Sequence, residues 1–128
     1  MKLIYICSRY RGDDKYSVEF NIEAAQLMCR CVSEKSVIPI APHLYFPQFL
    51  DDDKQEERDY ALNIGKELIA QCRRMKVLVV DGIISEGMLE EIYEAQRLEL
   101  PIDYLFVTKD QVKSIGEELK HMPIMNKD

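Results

Sequence analysis

Apolar residues along the chain alternate between two spacings. The first is a compact run, "KLIYIC" (2–7), which predicts a strand. Residues 17–34 then place Phe20, Ala24, Leu27, Met28 and Cys31 at helical spacing, which predicts a helix with one buried stripe. "SVIPIA" (36–41) predicts a second, short strand limited by Pro39 and Pro42. "PHLYFPQFLDDDKQEER" breaks the alternation and predicts a long loop carrying aromatics, prolines and an acidic run. Ala61, Ile64, Gly65, Leu68, Ile69 and Cys72 restore helical spacing. "KVLVV" (76–80) is apolar on consecutive residues, as expected of a central parallel strand covered on both faces. A helix from about Ser85 to Leu98 follows, and "PIDYLFV" (101–107) predicts a fourth strand. Thr108 and Gln111 form a capping box for a last helix bearing Val112, Ile115 and Leu119. The tail "HMPIMNKD" receives no assignment, and no internal repeat, low-complexity segment or linker is evident.

Strands that alternate with helices imply a parallel sheet with helices on both faces. The expected fold is a doubly wound, Rossmann- or flavodoxin-like α/β domain. The 128 residues suit one such domain. Ligands of these sheets bind beyond the carboxyl ends of the strands. Here those ends carry "SRYRGDD", "PHLYFPQFLDDD" and "DGIISEGM", which should converge on one site.

Charge narrows the ligand. A formal net charge of −6 argues against a nucleic-acid polymer, while a small anion held locally remains open. No apolar stretch approaches the length of a membrane span, and the start reads as a strand rather than a leader, so a cytoplasmic protein is expected. Cys7, Cys29, Cys31 and Cys72 show no zinc-type spacing; buried free thiols, no metal and no cofactor are expected.

The third loop holds the first candidate chemistry. Ser85 suits a helix N-cap, and Gly87 lets a ligand approach the backbone, so the helix start offers an anion site. Simple capping by Ser85 is the competing reading. Glu86, Glu90 and Glu91 follow, where the helix dipole favours carboxylates. Met88, Glu91, Ile92 and Ala95 fall on or near one face, so Glu91 should border the buried side while Glu86 and Glu90 point to water. A carboxylate half-buried above a parallel sheet is a candidate nucleophile or acid/base. Tyr5 is placed to reach it from the first strand, or is a core tyrosine. Arg11, after the first strand, is a candidate grip for a phosphate or carboxylate, or a solvated side chain. His43 is a possible base, phosphate contact or loop-ordering group. Tyr45, Phe46 and Phe49 are candidates to stack on a flat ring, or to form the loop's own cluster.

Three segments, "IYICSRYRGD", "PIAPHLYFPQFLDD" and "ISEGMLEEIYEA", resemble the nucleoside 2-deoxyribosyltransferase-like superfamily, nearest to a small uncharacterised bacterial and phage branch. The resemblance runs from residue 2 to about 107. It implies that Glu91, followed four residues later by Ala95, is a nucleophile that attacks C1′ of a deoxyribose. It implies that Tyr5 orients Glu91. Ser85 and Gly87 match the 5′-phosphate contacts of related deoxynucleoside-monophosphate glycosidases, Arg11 with Gly12 resembles the "RGG" loop of the same enzymes, and Met88 beside Gly87 is a further substrate-binding candidate. Asp81, at the end of the third strand, is the candidate for contacting or protonating the base; a turn-forming aspartate is the alternative. Two departures stand out: Arg9 replaces an expected proline, and Arg73, Arg74 and Lys76 stand where an acid is usual.

The resemblance thus implies cleavage or transfer of the N-glycosidic bond of a 2′-deoxynucleoside or its 5′-monophosphate. The alternative is a non-catalytic nucleotide-binding or sensor module of the same fold. A flavodoxin-like FMN carrier fits less well, because the first loop lacks a Ser/Thr-rich phosphate cradle. A homo-oligomer, at least a dimer, is expected from the apolar loop 42–50 and from a crevice too shallow to exclude water.

Overall fold

The computed structural model describes residues 1–119. The unassigned tail lies outside these residues. Strands β1 (Lys2–Cys7), β2 (Val37–Ile40), β3 (Arg74–Val80) and β4 (Ile102–Val107) form one parallel sheet in the order β2-β1-β3-β4. Helices α1 (Val18–Val32), α2 (Gln55–Gln71), α3 (Glu86–Arg97) and α4 (Lys109–Leu119) flank it. This is the expected doubly wound α/β domain.

Strand alternation sorts the core into two layers. Tyr5 and Cys7 of β1, with Met75, Val77 and Val79 of β3, face Ile69 of α2 and Met88, Ile92 and Ala95 of α3. Ile4 and Ile6 of β1, with Leu78 of β3, face Phe20, Ala24 and Met28 of α1 and Val112 of α4. Both faces of β3 are therefore covered, which explains its unbroken apolar run. Parallel pairing aligns Tyr5 with Met75 and Cys7 with Val77. The chain leaves β1 for β2 on one side and returns as β3 on the other, so a crevice opens at their carboxyl ends.

Two elements differ from expectation. The acidic run is not all loop: α2 begins at Gln55, with Glu56 and Glu57 in its first turn, where the helix dipole favours them. Glu57 Oε1 also accepts the Asp51 amide at 3.0 Å. The aromatic segment winds into two short 3-10 turns, Pro42–Leu44 and Phe46–Gln48.

Candidate active site

Glu91 rides on the second turn of α3. Met88, Ile92 and Ala95 bind that helix to the sheet, which turns the neighbouring Glu91 toward β1. Tyr5, buried in the middle of β1, donates its hydroxyl proton to Glu91 Oε2. Gly65 of α2 adjoins this pair; a Cβ there would stand 3.9 Å from the Tyr5 hydroxyl. Burial pushes the Glu91 carboxyl up to about 7, against the opposing pull of the Tyr5 hydrogen bond. Burial, and then the Glu91 charge, hold the Tyr5 phenol well above its usual range, so Tyr5 remains the donor. Glu86 and Glu90 are exposed, as the spacing predicts.

The start of α3 is bound up with its own capping. Ser85 is extended (φ −75°, ψ 165°), and its Oγ accepts the Met88 N–H at 3.2 Å. The Met88 side chain is buried in the core, and its carbonyl accepts the Cys7 thiol at 3.7 Å. Gly87 has no atom within 4 Å of the place a Cβ would take. Capping thus uses the Met88 amide and leaves those of Glu86 and Gly87 as the open donors of the helix start.

The first and second loops meet through two contacts. Ser8 Oγ lies 2.8 Å from His43 Nε2, and the Tyr10 ring stands edge-on to His43 at 6.4 Å between centroids. Burial lowers the His43 pKa to about 4, which keeps the imidazole neutral at physiological pH. Arg11 Nη2 pairs with Asp52 Oδ2 at 2.6 Å on the surface. Gly12 is needed for space, since a Cβ there would lie 2.8 Å from the Val18 nitrogen. Arg9 braces the same loop from its Nε to the Arg11 carbonyl and from its Nη2 to Asp13. Tyr45 packs with Phe46 and Phe49, and Phe46 continues to Tyr60 of α2. The aromatic loop thus forms its own cluster, and Tyr45 remains 63 % exposed within it.

Asp81 belongs to a different neighbourhood. It sits in the left-handed region (φ 53°) at the turn after β3. Its Oδ2 accepts the Tyr16 hydroxyl at 2.6 Å and its Oδ1 accepts the Lys109 amide at 3.0 Å. These bonds, Tyr16 first, hold the carboxyl below its usual value. Asp81 thereby caps α4 from a distance.

The structure therefore brings Tyr5 to Glu91, Ser8 to His43, and Asp81 to Tyr16. A small, partly open pocket of about 20 Å³ lies near the carboxyl ends of β1 and β3, with Ser8, Asn21, Val80 and Met88 in its lining. That is room for about one water. Ser8 and Tyr16 were not singled out by sequence reasoning. Ser8 had a signal, since it is the first residue beyond β1; Tyr16 had none. Among the described residues no cluster of His, Cys, Asp or Glu could hold a metal, and the four cysteines are free. No described helix is long and apolar enough to cross a membrane.

Comparison with known families decides the affiliation. Residues 2–105 match DUF7768, a domain of unknown function. The chain belongs to the DUF7768 family. No curated protein matches this DUF7768 chain in sequence. Among solved structures it is similar to a 2-deoxyribosyltransferase from the psychrotolerant bacterium Bacillus psychrosaccharolyticus, with a TM-score of 0.62 and 14 % identity. The likeness covers 81 % of this chain and 72 % of that one. That protein is described as a biocatalyst for the synthesis of antiviral and antitumoral nucleosides. At this identity the likeness establishes a shared fold, which supports the resemblance drawn from the sequence at that level.

Proposed function

We propose that this DUF7768 protein cleaves or transfers the N-glycosidic bond of a 2′-deoxynucleoside or its 5′-monophosphate, through a deoxyribosyl ester on Glu91. The observation that carries this reading is the Tyr5–Glu91 pair: a half-buried carboxylate at the carboxyl end of a parallel sheet, oriented by a phenol. A carboxyl with its pKa near 7 is ionised in a substantial fraction of molecules at neutral pH. Tyr5 fixes Oε2, which leaves Oε1 to attack C1′. The bond from C1′ to the base nitrogen breaks, its electron pair departs with the base, and the base takes up a proton. Water or a second base then attacks C1′, and Glu91 leaves as carboxylate. This is the two-step course of a retaining glycosidase.

The remaining loops supply binding in this reading. The open amides at Glu86 and Gly87 receive a 5′-phosphate, with Ser85 and Met88 holding the helix start in shape. Arg11, exchanging Asp52 for the ligand, adds a second phosphate contact above Gly12. His43 and Tyr45 border the sugar and base. A base contact by Asp81 competes with its two existing bonds, so Asp81 serves the site chiefly by fixing the turn before α3. A second copy of the chain closes the crevice over the exposed Tyr45 and Phe49, which are 63 % and 55 % exposed. Light scattering at micromolar concentration checks that step, and a mass near 15 kDa with activity kept on dilution contradicts it.

The test is incubation with a panel of deoxynucleosides and their monophosphates, with free base read by chromatography. Base release that disappears in Glu91→Ala supports the proposal. Nucleotide binding without release in any member of the panel favours the non-catalytic module instead.

A further inference from the structure

The other end of the sheet carries a separate feature. Strand alternation that puts Ile4, Ile6 and Leu78 into the α1 and α4 layer also puts Lys2 of β1, and Arg74 and Lys76 of β3, on that same side. All three stand near the amino ends of their strands. There they line a cavity of about 520 Å³, with Arg73 at its rim. Its apolar lining includes Ile4 and Val37 from the sheet and Val32 from the end of α1. Glu34 is its one carboxylate. Arg74 reaches Asp103 at 3.5 Å, whereas no ion pair joins Lys2, Arg73 or Lys76 to a carboxylate among the described residues.

This grouping opposes the rest of the molecule. The chain as a whole carries a net charge of −6, yet four of its cations gather around this cavity against two carboxylates among the described residues, Glu34 in the lining and Asp103 beside Arg74. Like charges left together without partners repel one another, and an anion of several charges relieves all of them at once. The carboxyl end of α1 lies alongside and favours a nearby cation, but four exceed what one helix end needs. The volume falls within the range of small-molecule sites. Lys2 stands three residues before Tyr5 on β1, about 10 Å at the usual strand rise, and the cavity opens on the sheet face opposite to the one that carries the Tyr5–Glu91 pair. It is therefore distinct from the candidate active site.

We infer that this cavity binds a compact polyphosphate, in which the phosphate chain spans Lys2, Arg73, Arg74 and Lys76. The phosphate chain has two sources, inorganic or nucleotide, and the apolar lining leaves space for a nucleoside beside it. The inference is independent of the proposed glycosidic chemistry.

Isothermal titration of the full chain with tripolyphosphate, and separately with a nucleoside triphosphate, tests it. Binding is expected to weaken as salt rises. It is expected to fall at least about tenfold in Arg73→Ala/Lys76→Ala, since two charge-assisted contacts to the phosphate chain are lost. Thermal unfolding of the double variant should match or exceed the parent, because a repulsive pair has been removed. Equal affinity for both probes identifies the phosphate chain alone as the ligand; tighter nucleotide binding identifies a nucleotide. No heat with either probe up to millimolar concentration overturns the inference. So does binding that survives in the double variant, or that is lost instead in Ser85→Ala at the other end of the sheet.

Discussion

Two tyrosine–carboxylate pairs sit at the carboxyl end of the sheet, one in each layer of the core, and they behave in opposite ways. Tyr5 and Glu91 are enclosed between α2, α3 and β1, and there burial outweighs the hydrogen bond and raises the carboxyl to about 7. Tyr16 and Asp81 meet where water reaches the carboxylate, and there the hydrogen bond outweighs burial and lowers the carboxyl below its usual value. The donor is the same in both. Solvent decides in which direction the partner carboxyl is shifted.

The largest contrast should appear in activity. Glu91→Gln is expected to reduce base release by several orders of magnitude, because no other group in the account can carry the deoxyribosyl ester. Asp81→Asn is expected to keep activity within about tenfold, as loss of a positioning group rather than of a nucleophile. Parallel rate measurements on the same substrate check both, and a larger loss in Asp81→Asn would reverse the assignment of the two pairs.

Removing the phenol hydroxyls gives a smaller effect. Tyr5→Phe should lower activity by roughly 10–100-fold, in the range seen when a group that orients a functional ligand is lost. It should also move the acid limb of the pH–rate profile upward, since the Tyr5 hydrogen bond lowers the Glu91 pKa. Tyr16→Phe should leave that profile in place. A Tyr5→Phe profile that coincides with the parent would show that the phenol does not act on Glu91.

Stability against pH separates the pairs by sign. Native Glu91 keeps its proton up to about pH 7, whereas the unfolded residue keeps it only to about 4.5. The native chain thus binds more protons in that window, and stability falls as pH rises through it. The difference amounts to about 3 kcal/mol at most. Glu91→Gln should therefore be the more stable protein at pH 8 and lose this slope, as measured by urea unfolding at pH 5 and 8. Asp81, with its carboxyl lowered, contributes in the opposite sense: its stabilisation is present above the unfolded value of 3.8 and is lost as pH falls through the native one.

The smallest expected effect lies at the start of α3. Ser85→Ala should cost about 1 kcal/mol, the usual loss of an N-cap. If the open amides there take a 5′-phosphate, a deoxynucleoside monophosphate should raise the melting temperature more than the matching nucleoside. Equal thermal shifts would remove the phosphate from the account.

Much of this arrangement was legible in residue spacing, for a physical reason. β3 is covered on both faces and shows it as consecutive apolar residues, while α3 shows the single stripe of Met88, Ile92 and Ala95 that sets the direction of Glu91. The Thr108–Gln111 box forms in both directions, at 2.8 and 3.1 Å, because both partners lie within one helical turn. Contacts between distant segments left no such periodic trace. Tyr16 meets Asp81 across 65 residues, Arg11 meets Asp52 across 41, and Ser8 meets His43 across 35. Each depends on how loops converge, and no repeat in the chain records it. The start of α2 was hidden differently: its acids resemble a solvated loop unless their value to a helix amino end is recognised.

In the proposed mechanism Glu91 becomes covalently linked to the sugar. The most direct test of this linkage is intact-mass and peptide-mapping analysis of protein quenched during turnover of a deoxynucleoside or its monophosphate. A mass increase equal to one deoxyribosyl or phosphodeoxyribosyl group is expected, mapped to the peptide containing Glu91 and absent in Glu91→Gln. Free base released with no adduct, or an adduct mapped to another residue, would contradict it.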